Sequence, residues 1–332
     1  MSELRQNIAT KEWVIIAPER SNRPDDFVSV EKRPLPEVPY SDRCPFCAGN
    51  EAQTGSEVLA LRDDRNRWLV RALPNKFPAL SPEGELGYRE QGTQRRIRGV
   101  GLHQVIVEAP EHNTTPALME VAQVDRVLQV YKQLSLRALD DPRIELVTLF
   151  KNHGVRAGMS LLHPHSQMVA TPVVPANVRQ RVDLAIRYYD DHRSCVYCTI
   201  LAEELRSGER IIAETPHFAA FVPFAALSPF HVWILPKRHQ AAYVHIIDEE
   251  RADLAWILRC VLRKIFYGLE NPDYNFVIRS RDGQPRAVPY FHWYLSLVPR
   301  VSTTAGFELA SGMYINTLLP ESAAEFLRKV EA

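Results

Sequence analysis

The feature that most constrains the fold is a duplicated pattern of cysteines and histidines. Two Cys-x-x-Cys pairs occur, and each is followed by two widely spaced histidines; the sets are Cys44, Cys47, His112, His163 and Cys195, Cys198, His239, His292. The two histidines are 51 residues apart in the first set and 53 in the second. Predicted strands and helices follow the same order around both sets. We therefore expect an α+β protein of two tandem half-units, residues 1–175 and 176–332, with antiparallel sheets and flanking helices.

Each half supplies two thiols and two imidazoles, a donor set that suits tetrahedral Zn²⁺. Because the protein fills all four positions, both predicted sites are structural rather than catalytic. Other histidines remain alternative ligands, and His231 and His245 are the nearest rivals in the second half. The remaining alternatives are His103, His153 and His217.

The segment 151–171 carries the reactive-site pattern. Its His-Pro-His core places His165 two residues after the predicted ligand His163, and Gly154 and Gly158 precede it. Glycines let a backbone approach an anion, and an imidazole beside amide and hydroxyl donors suits attack on a phosphoryl group. The second half has Tyr294 where the first has His165, and Ser296 where the first has Gln167. Only the first half is therefore expected to be reactive.

Composition limits the class of protein. The chain has 332 residues and a formal net charge of +0, which gives no sequence-independent grip on nucleic acid. No signal-peptide pattern or run of about 18 apolar residues occurs, so we expect a cytoplasmic protein that does not enter membranes. In a reducing compartment the paired cysteines favour metal binding, and Cys260 is expected in the core of a helix.

The motif His163-Pro164-His165-x-Gln167, after Gly158-Met159-Ser160, resembles that of the galactose-1-phosphate uridylyltransferase family, a branch of the histidine-triad superfamily. The similarity covers nearly the whole chain. It implies a ping-pong nucleotidyltransferase that acts on a nucleotide sugar and a sugar 1-phosphate or phosphate through a nucleotidyl-histidine. It also implies a homodimer.

By resemblance, His165 is the nucleophile, and Gln167 and Ser160 hydrogen-bond the phosphoryl oxygens. The same resemblance assigns His163 to zinc. The substrate-binding residues that it implies are Arg23, Asn75, Lys76, Asn152, Gly158, Met159 and Glu308.

The segment 302–314 departs from the uridylyltransferase pattern. Phe307 stands where the family has a tyrosine, Glu308 is kept, and the segment has no lysine or glutamine for the hexose. This segment and residues 223–239 (PFAALSPFHVWILPKRH) resemble the branch of the family that includes ADP-glucose phosphorylase. The nucleotide base and the acceptor therefore stay open. A histidine-triad hydrolase and a non-catalytic zinc module are the alternative functions.

Overall fold

The structure is a computed structural model that describes residues 1–20, 35, 38–281 and 288–331. The strands are β1 (Glu3–Gln6), β2 (Trp13–Ile16), β3 (Leu59–Arg62), β4 (Trp68–Pro74), β5 (Arg89–Gln91), β6 (Gln94–Arg96), β7 (Leu102–Val107), β8 (Leu146–His153), β9 (His165–Thr171), β10 (Ile211–Glu214), β11 (Phe218–Phe221), β12 (Val232–Pro236), β13 (Tyr274–Arg279), β14 (Tyr294–Pro299) and β15 (Tyr314–Asn316). The helices are α1 (Val121–Leu139), α2 (Ala176–His192), α3 (Val196–Ser207), α4 (Asp248–Gly268), α5 (Gly306–Ser311) and α6 (Pro320–Lys329).

One ten-stranded sheet runs through both halves of the chain. Its order is β10-β11-β12-β14-β13-β8-β9-β7-β4-β3, and every neighbouring pair is antiparallel. Each half contributes five strands, and the second set repeats the order of the first in reverse about the β8–β13 junction. The predicted pair of tandem half-units with antiparallel sheets is therefore confirmed.

The sheet has two different faces because side chains alternate along each strand. On β14, Leu295 and Leu297 point into the main hydrophobic core, which also contains residues of α1, α4 and α6. We call this side the core face. Tyr294 and Ser296 alternate with them and lie on the opposite side, which we call the site face, together with His165 and Gln167 of β9.

Helix α4 shows how local sequence fixes the core face. Its buried residues recur at helical spacing from Leu254 to Ile265, as the apolar pattern predicts. Glu250 accepts a hydrogen bond from the backbone N–H of Ile247 at 3.1 Å, so the first turn is capped by its own third residue. The amphipathic pattern of the sequence predicts a helix over 248–268, and the structure has the same bounds.

Some elements differ from the sequence prediction. The second Cys-x-x-Cys pair is not an isolated knuckle, because Cys195 is the N-cap of α3. The polar stretch 80–100, expected as a loop, carries the hairpin β5–β6. The sequence Tyr290-Phe291-His292-Trp293-Tyr294 predicts a strand from residue 290, but β14 begins at Tyr294, so His292 precedes its strand just as His163 precedes β9.

No helix within the described ranges is both long and apolar enough to cross a membrane.

Candidate active site and metal centres

His165 is the first residue of β9 and is 5% exposed. Its Nδ1 lies 2.8 Å from the carbonyl oxygen of His163, and a carbonyl can only accept, so Nδ1 carries the proton. The lone pair of a neutral ring is then on Nε2. Burial lowers the pKa of His165 below its usual 6.5, and the charge of Lys151 acts in the same direction. The ring is therefore held neutral in one tautomer, the form that acts as a nucleophile.

An ion pair supports this segment from the core face. The Lys151 Nζ lies 2.6 Å from Glu108 Oε2 and donates a second hydrogen bond of 3.0 Å to the backbone oxygen of His165. Lys151 is 1% exposed and Glu108 is fully buried. Charges so far from water persist only when they are paired and hydrogen-bonded, so the pair ties β8 to the first residue of β9.

Gln167 is oriented by His103 of β7. The Ala79 N–H donates to His103 Nδ1 at 3.1 Å, so the ring proton is on Nε2. His103 Nε2 lies 2.8 Å from Gln167 Oε1 and donates to it. This bond fixes the amide of Gln167 so that its NH₂ group is left as the donor for a ligand. Asn75, a predicted substrate-binding residue, lies next to this pair with its Nδ2 at 3.1 Å from His103 Nε2; both atoms are donors in this tautomer, so this contact is not a hydrogen bond.

The glycine-containing turn before His165 is built against the second half of the chain. Gly154 has φ +86°, and a Cβ there would overlap the carboxylate of Asp273. The same carboxylate accepts the backbone N–H of Arg156 at 2.6 Å. Glycine is therefore required at position 154 for both conformation and space.

Asn152 is also held from the second half. Asn275 Nδ2 donates to Asn152 Oδ1 at 2.8 Å and to the Ala157 carbonyl at 2.9 Å, and Arg300 Nε donates to Asn275 Oδ1 at 2.5 Å. The Asn152 oxygen thus accepts a hydrogen bond within the protein, and its NH₂ group is left as a donor for a ligand. This nitrogen lies next to Gly158, where an added Cβ would be 3.6 Å from it.

The four predicted ligands of the first metal centre converge. Cys44 Sγ and Cys47 Sγ lie 3.7 and 3.6 Å from His163 Nδ1, and Cys47 Sγ lies 3.5 Å from His112 Nδ1. A tetrahedral ion with metal–sulfur bonds of about 2.3 Å and metal–nitrogen bonds of about 2.0 Å needs about 3.5 Å between these atoms. His163 Nε2 donates to the Ala109 carbonyl at 2.8 Å, so Nδ1 has its lone pair towards the thiols. The set fits a divalent metal ion.

The second centre has the same composition. Cys198 Sγ lies 3.2 Å from His239 Nδ1 and 3.3 Å from His292 Nδ1, and the donor atoms of all four residues, Cys195 included, lie within 4.8 Å of one another. His239 Nε2 donates to the Val288 carbonyl at 2.9 Å. Both Cys2His2 groups could therefore hold a metal ion. Their residues are the eight predicted from the duplicated pattern, and His231 and His245 are not among them.

The other predicted site residues do not form hydrogen bonds with His165 or Gln167 within the described part of the chain. Ser160 and Lys76 are exposed, and Met159 closes the turn with its backbone N–H donating to the Gly154 carbonyl at 3.0 Å. Glu308 caps the start of α5 by accepting the Ala305 N–H at 3.0 Å, and no contact joins it to the described residues around His165. Arg23 lies outside the described residues.

The second half contains the counterpart of the reactive site. Gln167 is hydrogen-bonded to His103 in the first half, and Ser296 is hydrogen-bonded to His231 at 2.9 Å in the second. Tyr294 packs against Trp233, with a distance of 4.5 Å between the two ring centroids. The second half therefore keeps the supporting histidine, and Tyr294 packs where the first half has His165.

Sequence reasoning missed three supporting residues: His103, Lys151 and Asn275. His103 was considered only as an alternative metal ligand, yet the pairing of β7 with β9 places it diagonally from Gln167. A lysine inside an apolar strand was the available signal for Lys151, because such a residue must find a buried acid. Asn275 gave no signal, since its role depends on the β8–β13 pairing.

The chain is similar to known proteins over nearly its full length. The sequence matches two family models, "Galactose-1-phosphate uridyl transferase, N-terminal domain" over residues 1–175 and its C-terminal domain over residues 181–332. It is 37% identical over 332 residues to an ADP-glucose phosphorylase of Arabidopsis thaliana, covering 99% of this chain and 93% of that one. It is 27% identical over 340 residues to a galactose-1-phosphate uridylyltransferase of Thermotoga maritima, covering 100% and 99%.

A crystal structure of an ADP-glucose phosphorylase from Arabidopsis thaliana with bound ADP-glucose superposes on this fold. The TM-score is 0.85 at 35% identity, over 100% of this chain and 99% of the other. Both halves, their order and the sheet are thus shared over the full length. The chain belongs to the galactose-1-phosphate uridyl transferase family of nucleotidyltransferases.

Proposed function

We propose that this enzyme moves a nucleoside monophosphate from a nucleotide sugar to a phosphate acceptor through a covalent bond to His165. The observation that carries the proposal is the hydrogen bond from His165 Nδ1 to the His163 carbonyl, which leaves the Nε2 lone pair for attack. In the first step Nε2 bonds to the α-phosphorus, and the bond from that phosphorus to the bridging oxygen breaks. The sugar 1-phosphate leaves with the electron pair. In the second step an acceptor phosphate oxygen bonds to phosphorus, and the N–P pair returns to Nε2.

The transferring phosphoryl group needs fixed donors because its charge is spread over oxygens in the transition state. Gln167 and Asn152 are the donors that the geometry supports best, since a hydrogen bond to each side-chain oxygen turns the amide nitrogen outwards. We assign Ser160, Gly158 and Met159 to the same phosphoryl-binding turn. Asn75, Lys76 and Arg23 are assigned to the nucleotide or its phosphates, and Glu308 to the sugar.

ADP-glucose is our preferred donor, and inorganic phosphate our preferred acceptor, which would give ADP and glucose 1-phosphate. The support is the full-length similarity to an ADP-glucose phosphorylase and to its complex with ADP-glucose. Phe307 and the absence of lysine and glutamine from 302–314 also depart from the uridylyltransferase pattern. A UDP-hexose donor with hexose 1-phosphate as acceptor is the second candidate, favoured by the relative from Thermotoga maritima.

We propose Zn²⁺ for both Cys2His2 groups, held by Cys44, Cys47, His112 and His163 and by Cys195, Cys198, His239 and His292. When bound, the ion would supply a structural cross-link and no open coordination position. In the first half the cross-link would include His163, whose backbone carbonyl accepts the hydrogen bond from His165 Nδ1. Burial raises the pKa of the Cys47 thiol to about 11, so a bound cation is what would favour its thiolate.

The division of labour that we propose assigns chemistry to residues 1–175 and support to residues 176–332. The family resemblance also suggests a cytoplasmic homodimer. Sedimentation velocity on the purified chain tests the dimer, because a single species at monomer mass would contradict it.

Intact-protein mass after mixing with ADP-glucose, without acceptor, tests the central proposal. The expected result is a gain of one adenylyl group that disappears when phosphate is added and is absent from His165→Gln. Tyr294→Phe, at the equivalent position of the second half, is the matched control and should form the adduct normally. A uridylyl adduct from UDP-glucose alone would select the second candidate. An adduct on His165→Gln, or none from either donor, would contradict the proposal.

A further inference from the structure

The second half carries an unusual pair of arginines at the counterpart of the reactive site. Gln167 lies opposite Phe150 on β8, and Ser296 lies opposite Val277 on β13. Two residues further along, Tyr294 lies opposite Arg279, which makes Arg279 the counterpart of Asn152. The amide that faces the phosphoryl position in the first half is therefore replaced by a guanidinium group in the second.

Arg181 of α2 approaches the same place from above the site face. Arg181 and Arg279 both line one cavity of about 30 Å³, together with Thr148, Ser280 and Phe291. This volume has room for a small inorganic group and not for a nucleoside. Helix α2 therefore brings a second cation to a position that strand geometry has already made cationic.

Neither arginine has an acidic partner within the described part of the chain, where every ion pair of the second half involves other residues. Arg181 Nη1 is buried and has no hydrogen-bond partner, and the same is true of the Tyr197 hydroxyl, in α3. A buried polar group without a partner costs free energy comparable to a lost hydrogen bond. No acidic side chain is among the described residues that line the cavity, so its two guanidinium groups make it positively charged.

The two arginines respond differently to their surroundings. Burial and then the charge of Arg181 lower the pKa of Arg279. Burial also opposes the charge of Arg181, but Tyr294 and Glu12 outweigh it and raise the pKa of Arg181. Both arginines also act to lower the pKa of His231, after the larger effect of its burial. Among the described carboxylates, Glu12 acts on both guanidinium groups, and it makes no ion pair with either. One acid at longer range leaves the cluster positive.

We propose that Arg181 and Arg279 bind a phosphate-class oxyanion, either inorganic phosphate or the phosphate of a sugar phosphate, at a site separate from His165. Guanidinium groups match such oxyanions with paired N–H donors, and two of them around a small cavity satisfy the orphaned donors and remove the like-charge repulsion. The site would couple the concentration of phosphate compounds to the stability of the second half.

Thermal unfolding of the metal-loaded enzyme tests this site. The apparent midpoint is measured at constant ionic strength with potassium phosphate, with glucose 1-phosphate, or with potassium chloride alone. The variants are Arg279→Met and Arg181→Met. Arg187→Met, an exposed arginine of α2, is the matched control.

The expected result has two parts with opposite signs. In chloride, Arg279→Met and Arg181→Met unfold at or above the wild-type midpoint, because the repulsion is gone. In phosphate, wild type and Arg187→Met rise by a few degrees at about tenfold excess over Kd, and both site variants lose that rise. A rise with glucose 1-phosphate but not with phosphate identifies the sugar phosphate as the ligand.

Stabilisation through the acceptor position near His165 would be common to all four proteins, so only the difference between variants counts. Equal phosphate effects in wild type and both site variants would overturn the proposal. A lower midpoint of both variants in chloride would also overturn it, because the arginines would then stabilise the fold without an anion. The adduct assay described above remains a separate test, since Arg279→Met leaves His165 and its donors in place.

Discussion

His103 Nε2 donates a 2.8 Å hydrogen bond to Gln167 Oε1, and this bond joins two neighbouring strands across the site face. The main effect of this hydrogen bond is to fix the orientation of the Gln167 amide. An unrestrained glutamine amide can present either oxygen or nitrogen to a ligand, and only the nitrogen favours a phosphoryl oxygen. His103 removes that ambiguity before substrate arrives, which is the meaning of preorganisation at this site.

Replacement of His103 by alanine should therefore lower kcat without unfolding the protein. We expect a loss of about 10- to 100-fold, because the amide is displaced or turned in part of the population. Steady-state kinetics and the rate of adduct formation measure it. His192→Ala, an exposed histidine of α2, is the control and should be unchanged. Normal turnover by His103→Ala would show that Gln167 needs no partner.

Replacement of Lys151 by methionine should destabilise the fold strongly. The change leaves Glu108 fully buried without its ion-pair partner, which costs about 3–5 kcal/mol in the free energy of unfolding. The double variant Lys151→Met/Glu108→Met should recover most of this loss, because no unpaired charge remains. Denaturant titration of the three proteins measures both effects. Equal stability of the single and double variants would contradict the account.

Asn275 acts on the first half from the second. Asn275→Ala removes both bonds that it donates, to Asn152 and to the Ala157 carbonyl, so the turn before His165 loses its alignment. We expect kcat to fall by about 10-fold or more with KM changed less. Arg300→Met removes only the donor that orients Asn275 and should have a smaller effect in the same direction. Unaltered adduct formation in Asn275→Ala would exclude this role.

Elemental analysis of the purified chain should find about two zinc ions per protein. Cys44→Ser and Cys195→Ser should each lower this number to about one, since each removes a ligand from one group. Cys260→Ser is the matched control and should keep both ions. We expect Cys44→Ser to impair adduct formation through His163, and Cys195→Ser to reduce stability first. Full metal content in both ligand variants would contradict the assignment.

The ionised carboxylate of Glu250 holds the loop that carries the predicted metal ligand His239. Burial opposes ionisation of Glu250, but hydrogen bonds from Arg238, the Ile247 N–H and Gln240 outweigh it and hold its pKa below the ordinary 4.5. A lowered pKa in the folded state stabilises the protein above pH 4.5, and that contribution is lost as pH falls through the folded-state pKa. Arg238 and Gln240 flank His239, so the loop that carries this ligand depends on the ionised carboxylate.

Glu250→Gln should therefore lower the free energy of unfolding by about 2 kcal/mol at pH 7. The difference from wild type should shrink as pH falls below 4.5 and should be lost as pH falls through the lower folded-state pKa of Glu250. Denaturant titrations of both proteins from pH 7 to well below pH 4.5 measure the difference directly. A constant gap over that range would mean that charge is not the cause. Glu249→Gln, one residue away and exposed, is the control.

The metal centres and the repeat could be predicted from sequence because they depend on residue types at matched spacing. Cys47 and Cys198 are followed by histidines at corresponding strand ends, and tetrahedral ligation restricts how such residues can meet. The amphipathic helix 248–268 was predictable for a similar reason, since its apolar spacing is local information.

The rest depends on pairings between distant strands. Asn275 meets Asn152 across 123 residues, and Lys151 meets Glu108 across 43. No local pattern encodes these partners. Helix α3 could not be predicted from the Cys-x-x-Cys pair, because the same spacing occurs in a turn at Cys44 and at the start of a helix at Cys195. The assignment of Ser160, Lys76 and Glu308 to the substrate still rests on resemblance.

The β8–β13 junction makes the edge of each half depend on the other half for its backbone hydrogen bonds. Five backbone-paired residues on each strand join the halves through the middle of one sheet, from Leu149–Ile278 to His153–Tyr274. If the chain were cut between the halves, each piece would expose a long central edge strand, which favours aggregation. Residues 176–332 therefore cover the edge of β8, the strand that carries Lys151 and Asn152, and a chain limited to residues 1–175 would leave that edge unpaired.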